Sequence, residues 1–202
     1  MSRCYSRNVA SLLLCLLATL VDLSALDPTI RLDIRYATPR NFLGRALYPE
    51  ARAFLRPGVA EDLVRAHVGL RPRGFGLLVF DAYRPLSVTR TFWEELPTEK
   101  RRFVANPAKG SQHNRGCAVD VSLYELASGR EVEMPSAYDE MTPRASPRYE
   151  GGPPEARARR DLLRAAMESA GFKVNRGEWW HFDHDTCPQY ELLDLPFESF
   201  NP

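Results

Sequence analysis

The chain has 202 residues, 44% of them hydrophobic and 26% charged, and a net charge of +1. That length suits one compact domain with at most a short appendage, and the composition excludes a wholly disordered chain. The near-neutral balance argues against nucleic acid as a partner, because phosphate binding calls for a basic excess.

Arg3 and Arg7 precede an uncharged, leucine-rich run from Val9 to Val21, thirteen residues that end at Asp22. A membrane-spanning helix needs about 20 apolar residues, so the run is short for an anchor. A basic start with a short apolar core is the secretory pattern, so residues 1–20 are expected to be a signal peptide. The expected location is the periplasm, or the cytoplasm if the leader does not function. Export would put Cys117 and Cys187 in an oxidising compartment, where a disulfide and two free buried thiols both stay open.

From there Ile30–Tyr36 alternates apolar and polar residues and predicts a strand. Thr38–Tyr48 reads as loop. Val59–Val68 predicts a helix with Leu63, Val64, His67 and Val68 on its inner stripe and Gly69 as its stop. Phe75–Phe80 predicts a buried strand, and Asp81–Pro85 leaves its C-terminal end. Ser87–Leu96 predicts a short helix halted by Pro97. Cys117–Leu123 alternates cleanly, with Ala118, Asp120 and Ser122 on one face. Pro135–Pro154 holds five prolines and a Gly-Gly pair, and a loop that long is usually functional or disordered. Glu155–Ala170 predicts a helix capped by Gly171, and Phe172–Val174 and Trp179–Asp183 predict closing strands. The mixture predicts an α+β single domain.

Of the four histidines, two have informative neighbours. His113 stands seven residues before Asp120, an odd offset that a straight strand would send to opposite faces. A turn at Gly116 is what can bring the two side chains together. His181 closes Glu178-Trp179-Trp180-His181, a carboxylate and an imidazole beside an apolar wall. Odd spacing in that run predicts Glu178 at a turn or strand start. Two histidines and a carboxylate suit catalytic zinc, which keeps a fourth position for water. Glu178 is available as general base and acid, and Arg84 to stabilise an oxyanion. The competing structural reading makes His113–Asp120 a hydrogen-bonded pair and Arg84 a salt-bridge partner. His184 reads as an extra outside the metal set, and His67 as packed in a helix stripe.

Four motifs, in order, resemble the D-alanyl-D-alanine dipeptidases (VanX type). They are Asp33–Thr38 with Asn41–Gly44, Phe80–Pro85, Ser111-x-His113-x-x-Gly116-x-Ala118-x-Asp120, and Glu178–His181; the placement of Asp139 rests on Met134–Asp139. These zinc peptidases belong to a group that includes D,D-carboxypeptidases and shares a fold with the hedgehog signalling domain. The resemblance covers about Val21–Phe197. It implies a central antiparallel sheet flanked by helices, with 21–202 as the catalytic domain. It implies one zinc per chain on His113, Asp120 and His181, with Glu178 as base and Arg84 facing the oxyanion. Tyr36, Ser111 and Asp139 fall where the family contacts its dipeptide, with Asp139 on the free ammonium. Pro135 stands where the family usually has glycine. The implied partner is a small dipeptide, with no stable membrane anchor; a homo-oligomer stays open. The implied reaction is hydrolysis of D-Ala-D-Ala. The alternatives are a D,D-carboxypeptidase acting on longer muropeptides and a non-catalytic zinc-stabilised binding domain.

Overall fold

A computed structural model of the protein describes residues 20–200. The signal-peptide reading therefore lies outside the described residues but for Leu20, which is buried. Val21–Asp22 (β1) follows it, and the Asp22 side chain accepts from the Ser24 amide at the start of a one-turn helix, Leu23–Leu26 (α1). Arg31–Leu32 (β2) comes next, and Phe54–Leu55 (β3) pairs antiparallel with β1. Proline, free of an amide hydrogen, suits a first helical turn. Pro57 opens Pro57–Leu70 (α2), and Pro154 later opens Pro154–Ser169 (α4). Phe75–Asp81 (β4) leads into Leu86–Glu95 (α3). Ala118–Glu125 (β5), Phe172–Val174 (β6) and His181–His184 (β7) complete the strands.

The main sheet has the order β2-β4-β5-β7-β6. All its pairs are antiparallel except β2–β4, so the expected antiparallel sheet carries one parallel edge. Helices α2 and α4 pack on each other, α2 on β4 and α4 on β5 and β6. The α+β class and single domain stand. No helix among the described residues is long and apolar enough to cross a membrane.

Several predicted boundaries move. The strand expected over Ile30–Tyr36 is confined to Arg31–Leu32, and Arg35–Ala37 winds into a 3-10 turn that buries Tyr36. Gly69 does not stop α2, which runs to Leu70 and into the turn Arg71–Arg73; Gly74, with φ of 81°, ends it. Val68, placed on the inner stripe, is exposed, while Leu63 and His67 are buried. Trp179 and Trp180 form a turn, and the strand begins only at His181. The region from Pro135 to Pro153 is a loop with one 3-10 turn, Pro143–Ala145.

Register is the fold's contribution to the site. A bulge between Val79 and Asp81 resets β4, so that Asp81 stands opposite Asp120 on β5. On the other side Asp120 stands opposite His181 on β7. Directly opposed residues share a face of the sheet, so Asp81, Asp120 and His181 form one row across three strands.

Candidate functional site

His113 joins that row from a 3-10 turn, Gln112–Arg115. Ser111 caps the turn: its hydroxyl accepts from the His113 amide, and its own amide donates to Asn114 Oδ1. Gly116, at φ of 70°, turns the chain into β5, a conformation costly for other residues. This is the turn that the seven-residue offset called for.

Each of the three side chains has one atom engaged elsewhere and one left for the centre. His113 Nδ1 lies 2.6 Å from the Ala82 carbonyl, which can only accept, so that nitrogen carries the hydrogen. His181 Nε2 lies 2.9 Å from Asp183 Oδ1 and donates to it. Asp120 Oδ2 accepts from the Tyr138 hydroxyl at 2.9 Å. What remains is His113 Nε2, His181 Nδ1 and Asp120 Oδ1. They lie 3.1 Å apart between the histidines and 3.2 and 3.0 Å from each histidine to the carboxylate. Three lone pairs converging this closely repel one another unless positive charge lies among them. The edges of a tetrahedron drawn around zinc, with bonds of about 2.0–2.1 Å, are about 3.3 Å long. The donor set and its spacing therefore fit a divalent metal ion. All three residues are buried. Burial alone would raise the Asp120 pKa, but His113 and His181 hold it well below the usual carboxylate range. Burial likewise opposes charge on His181, yet Asp120 and Asp183 push its pKa well above the usual value.

Arg84 reaches the row from just beyond β4. Its Nε and Nη2 both donate to Asp81 Oδ2, at 2.9 and 2.6 Å. Asp81 is fully buried, and its other oxygen accepts from Tyr48 at 2.7 Å. The guanidinium lies over the rings of Phe92 and Tyr36, at 4.8 and 5.2 Å from their centroids. Arg84 Nη2 stands 3.9 Å from Asp120 Oδ2. Arg84 is buried, so it is not a surface salt-bridge partner, though it does pair with buried Asp81.

Glu178 sits just before the Trp179–Trp180 turn that enters β7, as the spacing predicted. Burial pushes its carboxyl above the usual range and the Asp120 charge adds to this, while His181, His113 and Arg84 oppose it. Asp139 is held by Tyr36, whose hydroxyl is 3.2 and 3.0 Å from its two oxygens. Burial and then the Asp120 charge raise its pKa well above the ordinary value. Among the described residues, Asp139 alone of the non-glycines has positive φ, at 60°. Such strain persists only where surroundings impose it, and it clusters at functional sites. All eight residues singled out in the sequence line one cleft of about 570 Å³: Tyr36, Arg84, Ser111, His113, Asp120, Asp139, Glu178 and His181.

Sequence reasoning missed the partners. Asp183 follows His181 by two residues, hence on the same strand face, and that spacing could have found it. Asp81 and Tyr138 carried no such signal. His184 is buried, with Nε2 2.9 Å from Asp62 and Nδ1 2.7 Å from Thr186, and stays out of the metal set. His67 is buried between Thr29 and the Leu77 amide. Cys117 and Cys187 are disulfide-bonded.

A family profile described as D-ala-D-ala dipeptidase, Peptidase M15, matches residues 17–200. The chain belongs to this family of metallopeptidases. The D-alanyl-D-alanine dipeptidase of Escherichia coli (strain K12) is 33% identical over 181 residues, covering 90% of this chain and 92% of the relative. That of Enterococcus faecalis (strain ATCC 700802 / V583) is 35% identical over 187 residues, 83% of this chain and 88% of the relative. Among solved structures, the LdcB LD-carboxypeptidase superposes more loosely, with a TM-score of 0.46 and 15% identity over 91% of this chain and 77% of that one.

Proposed function

We propose that the protein is a zinc dipeptidase that hydrolyses D-Ala-D-Ala to two molecules of D-alanine. The observation that carries this reading is the convergence of His113 Nε2, Asp120 Oδ1 and His181 Nδ1 in a cleft that also holds Glu178, Arg84 and Asp139. Two nitrogens and one oxygen suit zinc and leave a fourth position open. Zinc held there supplies a water acidified to a pKa of about 7 and polarises the scissile carbonyl.

The remaining chemistry falls to the side chains. Glu178 takes the proton of the attacking water as the oxygen–carbon bond forms, and passes it to the leaving nitrogen as the carbon–nitrogen bond breaks. Its raised pKa suits a group that must both accept and return a proton. Arg84, fixed by two bonds to Asp81, faces the negative charge that develops on the carbonyl oxygen. Asp139 binds the free ammonium of the dipeptide, and Tyr36 fixes Asp139. Ser111 both lines the cleft and caps the turn that presents His113.

A carboxylate at the amine end favours the dipeptide over the D,D-carboxypeptidase alternative. An acylated nitrogen would leave the Asp139 charge without its partner. Glu178 and Arg84 weigh against a non-catalytic zinc domain, which needs neither. The Cys117–Cys187 bond supports an exported, periplasmic enzyme, because such bonds persist in oxidising compartments.

The test is D-alanine release from D-Ala-D-Ala and from its N-acetyl derivative, by the zinc-loaded protein and by Glu178→Ala. The expected result is turnover of the free dipeptide alone, lost in the variant with zinc still bound. Turnover of the acetylated substrate would favour the carboxypeptidase. Zinc binding with no turnover of either would favour the binding domain.

A further inference from the structure

We propose that Tyr138 is a positioning residue that holds Asp120 to a single metal-facing oxygen. The inference rests on the zinc reading above. Asp120 has two oxygens and only Oδ1 faces His113 and His181; Oδ2 receives the Tyr138 hydroxyl at 2.9 Å. Donors to the outer atom of a metal ligand set its orientation and basicity. With Oδ2 occupied, the carboxylate presents one oxygen to the metal. Without the donor, Oδ2 is free to swing in as a second ligand or to turn towards Arg84 Nη2, 3.9 Å away.

Tyr138 is built to hold this position. Its ring stacks at a tilt on Phe80, centroid to centroid 4.7 Å, and meets Trp180 edge-on at 5.5 Å. The Arg35 guanidinium lies over both Phe80 and Tyr138, and Arg35 Nε is itself fixed by Asp33 at 2.9 Å. The next residue is Asp139, in its positive-φ conformation and bonded to Tyr36. Two adjacent residues are thus directed to two tasks, one at the metal ligand and one at the substrate amine. A phenylalanine would fill the same ring space and lack only the donor.

The experiment measures zinc affinity by competition with a chromophoric chelator, for the wild type, Tyr138→Phe and Tyr36→Phe. It adds the visible spectrum of each protein with cobalt(II) in place of zinc, and melting of each metal-free protein. Tyr36 is the control: a buried phenol on the same wall, bonded to Asp139 rather than to Asp120. Tyr138→Phe is expected to weaken zinc binding by about tenfold or more. It should also weaken the cobalt bands, as a second Asp120 oxygen raises the coordination number. Metal-free melting should be nearly unchanged, and Tyr36→Phe should keep wild-type affinity and spectrum. Wild-type affinity and spectrum in Tyr138→Phe would overturn the proposal, as would equal losses in both variants. A wild-type protein that binds no zinc would overturn the zinc reading itself, before either variant is compared.

Discussion

The Tyr36 hydroxyl bridges the two oxygens of Asp139, at 3.2 and 3.0 Å, from a position 103 residues earlier in the chain. This contact fixes the end of the cleft where a free ammonium would bind. Burial and the Asp120 charge raise the Asp139 pKa well above the ordinary value, and an ammonium beside it would favour the ionised form. Breaking a buried charge pair costs about 3–5 kcal/mol, and each 1.4 kcal/mol is about tenfold. Asp139→Ala should therefore lower kcat/KM for D-Ala-D-Ala at least about a hundredfold. Steady-state kinetics check this, and a loss under tenfold would contradict amine recognition by Asp139.

Arg84 cannot be replaced by lysine if its role is directional. Both of its bonds to Asp81 Oδ2 come from one planar guanidinium, and its rings of contact are Phe92 and Tyr36. An ammonium has no such fork. Arg84→Lys should cut kcat by about 10²–10³, as loss of an oxyanion donor does, with zinc content unchanged. Wild-type kcat in this variant would remove Arg84 from the chemistry.

Much of this was legible because periodicity and neighbouring residues carried it. Phe75–Asp81 and Ala118–Glu125 are strands because apolar residues alternate or run together there, and α4 lies within one residue of the helix expected over Glu155–Ala170. Ile30–Tyr36 misled because local alternation says nothing of available partners. After Leu32 the Asp33 amide still reaches the Val79 carbonyl at 2.9 Å, but the chain then turns to bury Tyr36. The metal-facing residues could be read as motifs and Asp183 from its two-residue offset, whereas the roles of Asp81 and Tyr138 could not be read locally. Tyr138 meets Asp120 across 18 residues, and Tyr48 meets Asp81 across 33, contacts that only the tertiary fold creates.

The disulfide joins Cys117 and Cys187, with Cα atoms 5.5 Å apart and a sequence separation of 70. It ties the head of β5 to the segment after β7, where the Leu193 amide donates to the Asn114 carbonyl beside His113. Closing so long a loop restricts the unfolded chain, and loss of such a bond costs about 2–5 kcal/mol. The double variant Cys117→Ser with Cys187→Ser should lose that much unfolding free energy and so unfold at lower urea, and dithiothreitol should do the same to the wild type. Unchanged midpoints in both would contradict a stabilising bond.

His67 gives the fold a pH dependence away from the metal centre. Its Nδ1 accepts from the Leu77 amide at 3.0 Å and its Nε2 faces the Thr29 hydroxyl at 2.9 Å. Burial lowers its pKa from 6.5, Asp27 opposes that, and Arg71 adds to it. The unfolded chain thus takes up the proton first. The stability His67 contributes is complete above about pH 6.5 and falls as pH drops from there towards the folded pKa, by at most about 1.4 kcal/mol per pH unit. Urea midpoints of metal-free protein between pH 7.5 and 5 should show this slope, and His67→Gln should flatten it. An identical slope in the variant would assign the dependence to other groups.

The most direct test of a metal-dependent dipeptidase is D-alanine release from D-Ala-D-Ala by one preparation measured three times: zinc-loaded, stripped by a chelator, and reloaded. The expected result is activity in the first and third states, about one zinc per chain in each, and none in the second. Turnover that survives complete removal of metal would contradict the assignment of His113, Asp120 and His181 as the catalytic metal site.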